Sequence, residues 1–390
     1  MAGPNIAGVF AMIITRVHCH PVTLAVRPEY LIVSSAGAHV VSRYVFVRIE
    51  TDQGLTGWGE ATVVPQWSGE TQGGATALIQ DYFAAMLKGQ DPEDYEALVA
   101  RMDGIVDNPF TKAGLEMALL DLVGQKQKLP LYELLGGAKH PLQIPIKFSI
   151  GLREPEDTAA IAVGKVKQGF TAIKLKVGPD TEKDYRRVQA VREAVGPKIR
   201  LNVDVNGGWT VEQAIREIAR YEEFKLEYVE QPTPRWDIDG MARVRRASAL
   251  PIMADESVFT VWQAEQVIAK KAADLISVYP GKNGGVLKAR RICQLAEEAG
   301  IICHLGSNLE WDIGCSAMCH LAAACPAVRA ELFPVDILGP LYYAVHPTGK
   351  AIAFQNGTVT VPTGPGLGLE ITTKEIERLQ NQEPPDAPKL

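Results

Sequence analysis

Lysines and carboxylates recur in this 390-residue chain near the ends of successive strand-like segments, at 171–178, 200–208, 226–232, 251–257 and 274–285. Lys176 to Asp204 is 28 residues, Asp204 to Glu230 is 26, Glu230 to Asp255 is 25 and Asp255 to Tyr279 is 24. A strand, a helix and two loops need about that many residues, so each of these side chains is expected at the C-terminal end of its own strand. In a parallel α/β barrel the functional groups converge at that end. Side chains alternate across a strand, so in AIKLKV Lys174 and Lys176 share one face while Ile173, Leu175 and Val177 share the other. The apolar face suits the helix layer, which turns both lysines into the barrel. There an ammonium without a partner would cost several kcal/mol, roughly, or lose its proton.

Asp204, Glu230 and Asp255 at neighbouring strand ends would repel one another, and a hard divalent cation resolves that repulsion. An all-oxygen ligand set selects Mg²⁺ over zinc, and three protein oxygens leave room for substrate and water. A lysine beside such a cation has a definite task. The metal neutralises the charge that builds on a carboxylate when its α-proton leaves, and a lysine of the Lys174/Lys176 pair can take that proton, its basicity tuned by the nearby cations.

These side chains need elements to position them. Residues 40–66 alternate apolar and polar about a turn at Asp52-Gln53-Gly54, which reads as an antiparallel hairpin. Helical patterns follow at about 75–89, 92–103 and 111–128. From Ile144 strand and helix alternate, with strands near 146, 172, 200, 227, 252, 275, 301 and 330, enough for an eight-stranded barrel. The expected organisation is α/β: an α+β capping domain over 12–135, a modified barrel over 140–340, and a C-terminal segment over 341–390 that packs back on the cap.

Composition sets the outer bounds. With 46% hydrophobic and 22% charged residues the chain can bury a large core, and a net charge of -6 without a Lys/Arg cluster gives no nucleic-acid footprint. The opening MAGPNIAGVFAMIITRV lacks the basic start of a signal peptide and the length of a membrane span, so a cytoplasmic protein is expected. Six cysteines in so long a chain form no disulfide framework. Cys315, Cys319 and His320 are spaced closely enough for a soft-metal site, but the surrounding small residues read as a core helix.

The pattern resembles the enolase superfamily, and within it the muconate lactonizing enzyme group, in 174-KLK-176, 204-DVN-206, 230-EQP-232, 254-ADES-257 and 282-KNGG-285. Outside the barrel, 54-GLTGWGEA-61, 130-PLYELLGG-137 and 364-GPGLGLEI-371 carry the likeness further. A Lys or His base with Mg²⁺ is general to that superfamily. The resemblance implies a (β/α)7β barrel, Asp204, Glu230 and Asp255 as Mg²⁺ ligands, Lys176 as base and Lys174 beside the substrate carboxylate. It implies cap loops near 22–38 and 62–72 that close over the site, and a homo-oligomer between dimer and octamer. Asn206 and Glu256 are expected around the substrate, and Glu310 matches the acid near the group's eighth strand.

One position departs from the group. Where it carries a second catalytic lysine on the sixth strand stands Tyr279, and Lys282 takes that place only if Pro280-Gly281 bulges. His304 is read either as an imitation of the seventh-strand base of mandelate racemases or as a hydrogen-bonded interior histidine. Trp67 and Trp311 are expected in the core or the pocket wall, and Arg27 and Arg43 either clamp a second substrate carboxylate or lie solvated in the lid. The first expectation for function is α-proton abstraction from a small-molecule carboxylate followed by β-elimination or cycloisomerisation. The alternative is a racemase or epimerase, and a remote one is a non-catalytic scaffold.

Overall fold

The computed structural model describes residues 11–345, 348–350 and 352–382. Residues 1–10, part of the opening stretch read above, and 383–390, the end of the C-terminal segment, lie outside it. The cap is built on three antiparallel strands, Ile14–Ala25, Val41–Thr51 and Thr56–Val63, with Val41–Thr51 in the centre. The hairpin turn falls where Gly54 supplies φ +77. The strand Ile14–Ala25 has no clean period-two signal in sequence, because His18, Cys19 and His20 are all partly or largely buried in succession. The helix Pro109–Gln127 is buried along almost its whole length and lies against Thr56–Val63. That approach needs glycine: a Cβ at Gly59 would come within 1.8 Å of the Gly114 carbonyl oxygen.

The second layer is a curled parallel sheet of seven strands in chain order: Phe148–Ile150, Ala172–Lys176, Arg200–Asp204, Val229–Glu230, Ile252–Ala254, Leu275–Val278 and Ile302–Leu305. The eighth position is not a regular strand. Residues 327–336 fill it, bonding to the seventh strand (Cys303 N to Ala327 O, 2.8 Å; Asp336 N to Leu305 O, 2.8 Å) and to the approach to the first (Val335 N to Pro145 O, 3.0 Å; Lys147 N to Val335 O, 3.0 Å). The fold is thus α/β, a (β/α)7β-type barrel with a separate N-terminal cap. In the tail, Thr358–Thr360 pairs with Gln143–Pro145, and the helix Thr373–Gln380 packs on the first cap strand, where His20 Nδ1 meets Gln380 Oε1 at 3.2 Å.

Buried carboxyl groups join the cap to the barrel and to the tail. Glu60 accepts from the backbone N–H groups of Trp311 (2.7 Å) and Gly314 (2.9 Å), Glu116 from Leu287 N (2.8 Å), and Asp121 from Trp58 N (3.0 Å) and Leu367 N (2.9 Å). Burial pushes these carboxyl groups up, Glu60 to about 8, Glu116 to about 7 and Asp121 to about 6. The helix Asp312–Ala324, which carries Cys315, Cys319 and His320, is buried along its length. The six cysteines are free thiols. Among the described residues no helix is long and apolar enough to cross a membrane.

Candidate active site

Strand register places the key side chains in one row. Lys176 lies opposite Asp204 and Asp204 opposite Glu230, across three adjacent parallel strands. Side chains at the same level of neighbouring strands point the same way, so all three enter the barrel mouth. The fifth strand brings Asp255 to the same rim through Gln231, whose Oε1 accepts from Asp255 N (2.9 Å) and Ser257 N (3.1 Å). Gln231 itself sits at φ +36, an uncommon conformation for a non-glycine residue, held by its amide bonds to Thr233 O (2.8 Å) and Ser257 Oγ (2.7 Å). Asn206, at φ +48, returns its N–H to Asp204 Oδ1 (3.0 Å).

Three lysines interleave with these carboxylates. Lys176 Nζ donates to Asp204 Oδ2 at 2.6 Å and to Asn206 Oδ1 at 3.0 Å. Lys174 Nζ lies 3.2 Å from Glu230 Oε2, 3.4 Å from Asp204 Oδ2 and 2.7 Å from Asp336 Oδ2. Lys282 Nζ donates to Asp255 Oδ1 (2.6 Å), Asp255 O (2.8 Å) and Ser277 O (2.7 Å). Both predicted barrel lysines therefore face inward.

The electrostatics are those of crowded charge. Burial and the charges of Asp204 and Asp255 push Glu230 up to about 8 against the pull of Lys174. At Asp204 burial also acts upward, but Lys176 and Lys174 outweigh it and the carboxyl ends below its ordinary value. Burial works against the charged form of Lys174, but Asp336, Glu230 and Asp204 overcome it and hold the amine protonated. Glu256, which accepts from Asn206 Nδ2 at 2.9 Å through Oε1, is driven well up by burial and by Asp255 and Asp204, and its Oε2 is buried without a partner. Among the described residues no three His, Cys, Asp or Glu side chains are drawn together tightly enough to cage a metal ion by themselves. The donor set nevertheless fits a hard cation. Its ligands are oxygens, Asp204 and Glu230 share one lysine nitrogen as counter-ion, and one neighbouring carboxyl oxygen is unsatisfied.

Above this floor is a cavity of about 200 Å³ lined by Ser149, Lys174, Lys176, Asp204, Asn206, Asp255 and Asp336 from the barrel. From the cap come the short hairpin Ile32–Ser34 and Gly37–His39, residues 63–67 and Arg43. The hairpin docks on the barrel rim through Leu152 N to Val33 O (2.8 Å) and Ser35 Oγ to Val177 O (3.3 Å).

Several sequence expectations change here. Tyr279 ends the sixth strand, but its ring is fully buried and does not line the cavity. Burial and the charges of Asp255, Glu310 and Glu256 keep its hydroxyl protonated, well above the ordinary phenol value. Lys282 reaches the cluster without a strand bulge, because Pro280–Asn283 forms one helical turn that swings it back onto Asp255. His304 is not beside the substrate space: it is interior, in contact with Lys147 and with Pro334 O (3.2 Å), beneath the floor. Glu310 follows the seventh strand, where Ser307 Oγ (2.6 Å) and Asn308 N (2.9 Å) bind it and burial raises it to about 7. Trp67 is pocket wall and Trp311 is core against Tyr44 and Phe46. Arg27 pairs with Glu29 at 2.8 Å, whereas Arg43 faces the cavity.

Two residues escaped the sequence reading. Asp336, in the segment that closes the barrel, binds Lys174 and accepts from Ser149 Oγ (3.1 Å), and Lys147 lies 3.3 Å from it. Their signal is weak because Val335-Asp336 belongs to no regular strand. Lys147 is a lone lysine among apolar neighbours, and burial lowers it to about 8.

Comparison with known proteins agrees with this geometry. Residues 14–136 match the mandelate racemase / muconate lactonizing enzyme N-terminal domain, and residues 157–376 match the enolase C-terminal domain-like family. The chain belongs to this family, within the enolase superfamily of enzymes. It is 36% identical over 329 residues to the L-Ala-D/L-Glu epimerase of Clostridium acetobutylicum, covering 84% of this chain and 90% of that one. It is 32% identical over 358 residues to muconate cycloisomerase 1 of Rhodococcus opacus, covering 90% and 94%. The structure of a dipeptide epimerase from Enterococcus faecalis, complexed with Mg and the dipeptide L-Leu-L-Tyr, superposes with a TM-score of 0.87 at 33% identity, covering 92% and 99%.

Proposed function

We propose that the protein is an isomerase of the racemase or epimerase class that moves the α-proton of a small carboxylate bound at the barrel mouth. The observation that carries this reading is the lateral row Lys176, Asp204, Glu230, with Lys176 Nζ at 2.6 Å from Asp204 and open to the cavity. Asp204, Glu230 and Asp255 would hold Mg²⁺, which would supply a counter-charge to the substrate carboxylate and so raise the acidity of its α-proton. Lys176 takes the α-proton, and inversion requires that a second group, Lys282 held 2.6 Å from Asp255, return a proton to the opposite face. Lys174, kept protonated by its three acids, presents a fixed positive charge to the substrate carboxylate. Asn206 and Asp204 orient Lys176, and the cap hairpin excludes water. Of the reactions considered from sequence, the relatives favour epimerisation: one is named an epimerase of L-Ala-D/L-Glu and another was solved with a dipeptide.

A second reading, elimination or cycloisomerisation on Lys176 alone, is favoured by one specific feature. Neither sixth-strand group opens on the cavity, since Tyr279 is buried and protonated and Lys282 donates to three oxygens. Turnover of single enantiomers of carboxylate substrates in deuterated water separates the two. Recovered substrate that has inverted and carries deuterium supports the first reading, and loss of a β-substituent or ring closure without inversion supports the second. Absence of α-deuterium, of β-elimination and of ring closure alike across amino-acid derivatives, muconates and acid sugars would sink both.

A further inference from the structure

Lys147 is a barrel lysine with no access to the cavity. It stands one residue before the first barrel strand, is wholly buried, and does not line the space above the floor. Its Nζ donates to Tyr228 Oη (2.8 Å) and Pro334 O (3.3 Å), touches His304 Nε2, and lies 3.3 Å from Asp336 Oδ2. Among the described residues Asp336 is the one acid within ion-pairing distance of it. The same Oδ2 accepts from Lys174 Nζ at 2.7 Å, while Oδ1 accepts from Ser149 Oγ at 3.1 Å. A single carboxylate oxygen is thus shared by two ammonium groups, one beneath the floor and one at the mouth. Burial works against the charge on Asp336, but Lys147 and Lys174 outweigh it and keep the carboxyl ionised.

This sharing has a direction. An oxygen already held from below by one cation attracts a second less than it would alone. Lys174 also faces Glu230 at 3.2 Å and Asp204 at 3.4 Å, so without Lys147 three undiluted carboxylates would draw it into the floor. We infer that Lys147 is a positioning residue that acts through Asp336: by taking part of that carboxylate's charge, it leaves Lys174 with positive charge to offer a substrate carboxylate. The inference rests on the part given to Lys174 in the reaction proposed above. Tyr228 and His304 hold Lys147 from behind without adding a carboxylate that would compete with Asp336.

The test compares wild type, Lys147→Met, Asp336→Asn and the double variant with L-alanyl-L-glutamate, all with Mg²⁺ present. α-Deuterium exchange gives kcat and KM, and calorimetric titration gives Kd independently of turnover. Lys147→Met removes the charge and keeps the length of the side chain. It should raise KM and Kd by about 10-fold, within the range of coupling inside one ion-pair network, and move kcat by less than about threefold. On the Asp336→Asn background the same change should move Kd by less than about twofold, because the carboxylate it works through is gone. An equal rise on both backgrounds, or no rise in the otherwise wild-type protein, would overturn the inference. A crystal structure of Lys147→Met gives a reading that needs no ligand: Asp336 should turn further onto Lys174, and Lys174 Nζ should withdraw from the cavity. Both side chains left in place would count against Lys147 even if the dipeptide is turned over. If no α-proton exchanges, the reaction class fails, while that structure still decides for or against Lys147.

Discussion

Buried carboxyl groups occur in two regions of this molecule under opposite arrangements. Where the cap meets the barrel and the tail, Glu60, Glu116 and Asp121 face backbone N–H groups, with no lysine or arginine bonded to them. At the barrel mouth Asp204, Glu230 and Asp255 face lysine ammonium groups and one another. A neutral carboxyl still accepts from a backbone N–H, more weakly than a carboxylate but without the cost of a buried charge, so the junction tolerates the upward push of burial. The mouth gathers negative charge that only cations can hold. Carboxyl groups that serve structure are answered by dipoles, and those placed for chemistry are answered by movable charge.

The largest expected effect tests the mouth. Chelation of divalent cations should stop α-proton exchange, and Lys176→Ala should lower it by about 10²- to 10⁴-fold, the usual worth of a positioned base. Retained exchange in Lys176→Ala, followed by proton NMR in deuterated water, would remove the lysine from that role. Lys174→Ala should chiefly raise KM.

The junction is tested through stability. Glu60→Ala leaves the N–H groups of Trp311 and Gly314 unpaired, at roughly 1–3 kcal/mol each, and should lower the urea midpoint accordingly. Glu230→Gln should shift the metal-free midpoint less, yet abolish the stabilisation that added Mg²⁺ gives the wild type. Equal behaviour of the two variants toward Mg²⁺ would erase the distinction between the regions.

The comparison also has a pH signature. Glu60 is raised from 4.5 to about 8 in the folded protein, so between those values the native state holds a proton that the unfolded chain has released. Stability should therefore fall as pH rises through that window, and Glu60→Gln should flatten the fall in Tm measured with Mg²⁺ present. A Tm that rises from pH 5 to 8 by the same amount in both proteins would contradict it. The smallest expected effect is at Tyr279: with its hydroxyl protonated and off the cavity wall, Tyr279→Phe should slow turnover by less than about tenfold, within the lower reach of acid–base contributions.

Much of the mouth was legible in the sequence because strand-end spacing and period-two alternation are local rules. They bring Lys174, Lys176, Asp204, Glu230 and Asp255 to one rim without knowledge of the rest of the fold. The longer helical segments of the cap and its Asp52-Gln53-Gly54 hairpin followed from the same kind of pattern, while the short helices Pro65–Ser68 and Leu131–Leu134 did not. Local rules failed where a side chain is placed by a distant segment. Lys282 returns to Asp255 through one helical turn, and Asp336 meets Lys174 from an irregular segment 162 residues away, whereas His304 is the hydrogen-bonded interior histidine that one of its two readings expected. The first cap strand stayed hidden because its partner Val41–Thr51 and the tail helix, rather than its own alternation, bury it. By itself, then, the sequence determined the barrel rhythm and which lysines and carboxylates gather at its mouth, since both depend on residue type and spacing along single strands. Only the tertiary structure decided which arginine faces the cavity and which acid pairs with which lysine, because those depend on how the cap, the closing segment and the barrel meet.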